Sequence, residues 1–346
     1  MSQPTTEPPT SALDLAEEFL DRTTPLSRIR STLHRYPAIS PAIVLVLAVI
    51  VFGLLNDRFW NPANLSLITQ QVAVVGTLAI AQTLIILTAG IDLSVGAIMV
   101  LSSIVMAKLS ADSGMPGLLA LLLGFTVGTA CGFINGTLVT RLKLPPFIVT
   151  LGTLYVFFAI NLWFSESETI RGTDMSSLLL WTGNTIDFGD TRITYGSILM
   201  LVLFAVFAWV LKNTAWGKHV YAVGDDAEAA RLAGVRKDRV LLSVYIVAGL
   251  ICAVAGWMLI GRIASASPQA GVSANLDSIT AVVIGGTSLF GGRGRVIGTL
   301  FGALIVGVLR NGLTLTGVDV LWQDFAVGIL IIVAVAIDQW IRKVKA

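Results

Sequence analysis

Val72-Ala-Val-Val-Gly-Thr-Leu-Ala-Ile-Ala-Gln-Thr-Leu-Ile-Ile-Leu87 runs for 16 residues without an Asp, Glu, Lys or Arg. With its apolar flanks from Ile68 to Ala89 it reaches the roughly 20 residues that a helix needs to cross a bilayer. Ala42–Leu55 and Gly117–Val139 are equally free of charge. Of the 346 residues, 55% are apolar and 13% charged, whereas soluble proteins carry about one quarter charged residues. A soluble globular enzyme is thereby excluded. The net charge of +2, from 23 basic and 21 acidic residues, offers no basic field for nucleic acid. Cys131 and Cys252 both lie in apolar runs, with no His or second Cys at ligand spacing, so neither a disulfide framework nor a metal centre is expected.

Apolar runs bounded by polar or Gly/Pro clusters number ten: 41–55, 68–89, 95–108, 117–139, 147–164, 196–211, 240–260, 278–291, 296–313 and 325–341. The expected organisation is a cytoplasmic tail over 1–40, with an amphipathic stretch at Ala12–Leu20, followed by a membrane domain over 41–346. The 40-residue polar lead does not read as a cleavable signal. With the N-terminus inside, ten spans place Arg141, Lys143, the 212–239 loop with its six Lys/Arg, Arg293, Arg295 and the basic C-terminus all on the cytoplasmic side. The 165–195 loop, with five acids against Arg171 and Arg192, falls outside. Every sizeable loop then obeys the positive-inside rule.

Ile91-Asp92-Leu93-Ser94 opens the third run and Leu276-Asp277-Ser278 the eighth. Asn135-Gly136 closes the fourth and Asn311-Gly312 the ninth. An offset of five spans is odd, so halves related in this way would be inverted in the membrane, as in many transporters. Recurrence by chance in a Gly-rich chain is the competing reading. The third and eighth runs are short, and each abuts Gly-interrupted sequence: Gly90–Gly96, and Gly285-Gly286 through Gly291-Gly292 to Gly294. Broken backbone at membrane depth is tolerated only where protein or a water-filled cavity covers it. Asp92 there is either functional or a cap on the following helix, accepting from backbone N–H groups near Gly96.

Gly124, Gly128, Gly132 and Gly136, spaced by four, form one helix face suited to close packing. Gly286 to Arg293 has phosphate-loop spacing but lacks the Lys-[Ser/Thr] that such a loop needs, so no ATP chemistry is expected of this chain. His34 and His219 both fall in expected cytoplasmic segments, and no catalytic set is evident.

In the 212–239 loop, Asp225 with Glu228 three residues on reads as a capping box, the Ala-rich centre favours helix, and Gly234 is a stop. A helix of about two turns with Ala229, Ala230 and Ala233 on one face suits docking into a partner's groove. A plain surface connector is the alternative.

Leu87-Thr-Ala-Gly-Ile-Asp-Leu-Ser-Val-Gly96, Ile134-Asn-Gly136 through Leu144-Pro-Pro-Phe-Ile-Val-Thr-Leu-Gly152, Gly224–Gly234 and Val283–Gly294 together resemble the permease subunits of bacterial ABC importers for monosaccharides such as ribose, xylose, galactose and fructose. The resemblance covers residue 40 to the C-terminus. It implies an all-α inner-membrane protein of about ten helices in two inverted five-helix repeats, similar to the cobalamin-importer fold. It also implies the expected partners: a second copy of the chain, cytoplasmic ATPase subunits that bind the ATP and Mg²⁺, a periplasmic sugar-binding protein, the monosaccharide and membrane lipid. Asp225, Asp226, Glu228, Ala229, Ala230, Leu232 and Gly234 match the segment that receives the ATPase stroke in that family. No cofactor or metal is expected in the chain itself.

For a neutral sugar, hydrogen-bonding and aromatic groups near the breaks are the candidate path: Gln82, Asp92, Asn135, Phe147, Thr150, Tyr155 and Asn311. Bonds between helices are the other use of such amides. Gly285, Gly286, Gly291 and Gly292 are expected to be structural, like the 124–136 stripe. Rival readings are an ABC permease for nucleosides or branched-chain amino acids, and an ion-coupled secondary transporter. The latter is disfavoured because Asp92, Asp277, Asp324 and Asp338 all lie near predicted span ends.

Overall fold

The computed structural model describes residues 39–271 and 273–343. The expected tail, its amphipathic stretch and the residues beyond Lys343 lie outside the described residues. Helix α1 spans Ile39–Leu55, α2 Pro62–Leu87, α3 Val95–Ala111, α4 Gly117–Thr140 and α5 Pro146–Ser165. After the short α6 (Ser177–Leu180) come α7 (Tyr195–Asn213), α8 (Ala215–Asp225), α9 (Ala227–Leu232) and α10 (Lys237–Ile263). The chain then forms α11 (Ala274–Ile284), α12 (Val296–Leu315) and α13 (Val320–Lys343). Proline at the first turn starts α2 and α5, where its missing N–H is no loss. Thr194 and Thr214 cap α7 and α8 through their hydroxyls.

Among the described residues, α2, α4, α5, α7, α10 and α12 are long and apolar enough to cross a membrane, while the apolar parts of α1, α3, α11 and α13 are shorter. Helix α2 is buried over most of its length, whereas α5 and α7 are largely exposed. A helix apolar all round belongs inside the bundle. It packs against α10, α12, α11 and α7, and α10 packs in turn against α4 and α3. Helix α3 also packs against α4 and α5, and α11 against α12 and α13; α1 lies on α12.

One expectation needs correction. The run 278–291 is not one span: its helix starts earlier, at Ala274, and stops at Ile284, because Gly285, Gly286, Gly291, Gly292 and Gly294 follow. Four of these glycines have positive φ, which ends a helix at little cost. Two short strand pairs accompany this mostly helical fold. Ile170–Arg171 pairs antiparallel with Ser265–Ala266, and Thr185–Phe188 with Thr191–Thr194. The second pair is a hairpin turning at Gly189, φ +60°, in a long loop whose β-branched residues favour pairing.

Candidate coupling and translocation site

Two interruptions organise the centre of the bundle. In the first, between α2 and α3, Ala89 takes φ +61° and Gly90 N–H returns to the Ile85 carbonyl at 3.1 Å. Asp92 then folds back as a tight turn, its Oδ1 accepting from the N–H and the hydroxyl of Ser94, both at 2.6 Å. This corrects the expected cap: the N–H of Gly96 is taken by Oδ1 of Asn275, not by Asp92. Neighbouring helices satisfy the rest of the exposed backbone. Asn135 on α4 donates to Ser94 Oγ at 2.8 Å. On α5, the Thr150 hydroxyl donates to the Ile91 carbonyl and accepts from Leu93 N–H, both at 3.1 Å. Asn275 on α11 donates to the Leu93 carbonyl at 2.6 Å. One amide side chain thus joins the start of α11 to the start of α3.

Asn275→Leu would leave the Gly96 N–H and Leu93 carbonyl without partners inside the protein, at a cost of about 1–3 kcal/mol each. The purified variant should unfold several degrees below wild type in a thermal scan. An unchanged midpoint would mean that the first interruption holds its shape without α11.

The second interruption, residues 285–295, meets the first at a crossing of bare backbones. Gly292 N–H donates to the Leu87 carbonyl at 3.0 Å. A Cβ at Gly224, on the last turn of α8, would overlap that same carbonyl, and one at Gly291 would lie 2.6 Å from the Gly224 oxygen and 2.8 Å from Ala89. The Tyr221 hydroxyl of α8 donates to the Gly294 carbonyl at 2.9 Å. At Gly224, helix α8 therefore lies against both interruptions with no side chain between them.

Helix α9 follows at once. Its cap is Asp226, whose Oδ1 accepts from the N–H groups of Glu228 and Ala229 at 2.9 Å; the expected cap, Asp225, is instead the last residue of α8. The helix has six residues, shorter than two turns, and Gly234 follows it at φ +85° as a left-handed stop. Arg231 pairs with Glu228 at 3.0 and 3.1 Å, and these hydrogen bonds hold the Glu228 carboxyl below its ordinary range. The expected small docking face is also corrected: Ala230 is buried in the chain's own fold, while Ala229, Ala233 and Leu232, the last 77% exposed, point outward.

The remaining candidates are scattered. Asn135 and Thr150 are buried supports of the first interruption. Asn311 forms a reciprocal amide pair with Asn64 on α2, at 2.8 and 3.0 Å. Gln82 is fully buried, and its amide has no partner among the described residues. Phe147 and Tyr155 lie on the exposed face of α5. A Cβ at Gly128, Gly132 or Gly136 would strike α10, whereas one at Gly124 would strike the Met106 side chain of α3; Gly285 and Gly298 oppose each other between α11 and α12. Sequence reading missed Asn275, Tyr221 and Arg310. Arg310 joins Asp277 at 2.7 Å to Asp324 at 3.0 Å, and its signal was a lone charge within the apolar run 296–313.

Residues 64–335 match the family described as the branched-chain amino acid transport system / permease component. The chain is 55% identical to the fructose import permease protein FrcC of Rhizobium meliloti, over 97% of this chain and 94% of that one. It is 42% identical to the ribose import permease protein RbsC of Bacillus subtilis, over 87% and 92%, and 35% identical to the D-allose transport system permease protein AlsC of Escherichia coli, over 87% and 91%. A multi-pass helical bundle with two glycine-rich interruptions, aligned almost end to end with these proteins, belongs to this family of membrane transport permeases.

Proposed function

We propose that the chain is the translocating subunit of an ATP-binding-cassette importer that carries a neutral monosaccharide across the bacterial inner membrane. The observation that carries this reading is the α8–α9 unit. It presents an exposed Leu232 to a partner while its other end touches both interruptions through glycine backbones. A push on α9 would reach the breaks in α2–α3 and α11–α12 directly. ATP and Mg²⁺ belong to the partner ATPase, and a periplasmic binding protein delivers the sugar. The names of the relatives favour sugars over nucleosides or branched-chain amino acids. The direct test is uptake of labelled fructose, ribose and allose by cells lacking their own importers and supplied with this permease, its ATPase and its binding protein. Uptake of none of them would refute the reading.

The chain is read as ten spans in two inverted halves, with both termini cytoplasmic. Packing supports this: α10 lies on α4 as α2 lies on α12, α3 packs with α4 and α5 as α11 does with α12 and α13, and α2 meets α10 at the centre. Asp92 reaches Asn135 on α4 as Asp277 reaches Arg310 on α12. The outer helices α1 and α7 depart from the relation. A homodimer is the proposed assembly, formed by the exposed faces of α5 (Ile148, Leu151, Tyr155) and α13 (Leu321, Phe325, Ile332). Each carries a glycine facing open space, Gly152 and Gly328. The topology predicts that single cysteines at the exposed positions Ser177 and Lys218, in a background lacking Cys131 and Cys252, react from opposite sides. Labelling of Lys218→Cys by an impermeant reagent added to intact cells would exclude this orientation.

A further inference from the structure

Helix α9, the start of α10, the α4–α5 turn and the first interruption line an open-mouthed cavity of about 640 Å³, within the range of small-molecule sites. Tyr245 of α10 lines it and is only 2% exposed, yet its hydroxyl has no hydrogen-bond partner among the described residues. A Cβ at Gly90 would lie 3.3 Å from that hydroxyl, and Gly90 lines the cavity too, so the phenol sits at the floor beside the interruption. Buried tyrosine hydroxyls normally find a partner.

The rest of the lining defines the ligand. Lys143, Arg231 and Lys237 line the cavity together with Glu228 and Asp238, and Arg231 is already paired with Glu228. Donors and acceptors are therefore mixed and their charges nearly cancel, while Leu241, Pro145 and Val139 supply apolar wall. Such a surface suits a neutral polyol, whose hydroxyls both donate and accept and whose C–H faces lie on apolar side chains. The lining keeps one net positive charge, three cations against two carboxylates, so a phosphorylated sugar is the rival occupant that the test separates from the neutral one. Because one wall is α9 and the floor is the interruption, an occupant resists movement of one against the other.

We propose that this cavity binds the transported monosaccharide on the α9 side of the membrane and that its occupancy slows further import. The proposal rests on the transport reading above for its substrate and sidedness. It is tested with the complete importer, permease with ATPase and binding protein, in proteoliposomes holding ATP in the lumen. Initial uptake of labelled fructose is compared with and without unlabelled fructose preloaded in the lumen. Preloading should lower the wild-type rate. Tyr245→Phe, which removes only the hydroxyl, should keep the zero-load rate within about twofold and need about threefold or more luminal fructose for the same inhibition. Luminal fructose 6-phosphate should have no effect. Normal zero-load uptake without luminal inhibition, inhibition unchanged in Tyr245→Phe, or inhibition by the phosphate ester alone would each overturn the proposal. Absence of zero-load uptake would overturn the transport reading, and this proposal with it.

Discussion

Leu232→Asp is expected to lower uptake about tenfold or more while the permease reaches the membrane at the wild-type level. Leu232 is the large apolar side chain on the outward face of α9 and contributes little to the fold, being 77% exposed. If α9 docks in a groove of the ATPase, this leucine is its anchor, and a buried anchor that becomes charged costs on the order of 2 kcal/mol or more of docking energy. Each 1.4 kcal/mol is about tenfold in an equilibrium constant. Ala230→Arg is the instructive contrast. Ala230 is buried within the chain itself, so that variant should fail by reduced protein yield, and reduced uptake there would say nothing about docking. Normal uptake and normal stimulation of the ATPase by the binding protein in Leu232→Asp would make α9 a connector only.

Alanine substitutions along the α4 glycine face should fall into two classes. At Gly132 a Cβ would overlap the Tyr245 carbonyl oxygen, a backbone atom that moves only if α10 moves. The expected outcome is loss of most folded protein, beyond the 1–3 kcal/mol typical of overpacking by side chains. Gly124 meets only the Met106 side chain, which is flexible enough to turn aside, so Gly124→Ala should keep near-normal yield. Size-exclusion profiles of the two variants in detergent measure the difference. Equal tolerance would mean that α4 and α10 are not held at the separation described.

The reading of α8–α9 shows where sequence loses its grip. Adjacent acids at Asp225 and Asp226 are equally good caps on paper. Which one caps depends on how far α8 continues, and α8 runs through Asp225, with Gly224 against the Leu87 carbonyl. Likewise Ala229, Ala230 and Ala233 share a helical face by spacing, but spacing does not say which neighbour covers it; here the bundle buries Ala230 and leaves the other two exposed. Asn135 and Thr150 were legible as polar groups close to a break. Their placement against Ser94, Ile91 and Leu93 requires α4 and α5 to lie alongside α3, and no local signal carries that information.

The amino-acid sequence by itself determined that this is a membrane protein of many helices, where most of those helices begin and end, and that two glycine-rich segments interrupt it. These follow from local physics: charge is excluded from lipid, Pro starts helices, and Gly admits the backbone angles that stop them. Only the tertiary structure decided that the interruptions meet each other and α8 at one crossing, and that Asn275 ties α11 to α3. It also decided that Tyr245 lies at the floor of a cavity with no hydroxyl partner among the described residues. Each of these depends on atoms from segments far apart in the chain brought to hydrogen-bond or contact distance, which is set by how the helices pack as a whole.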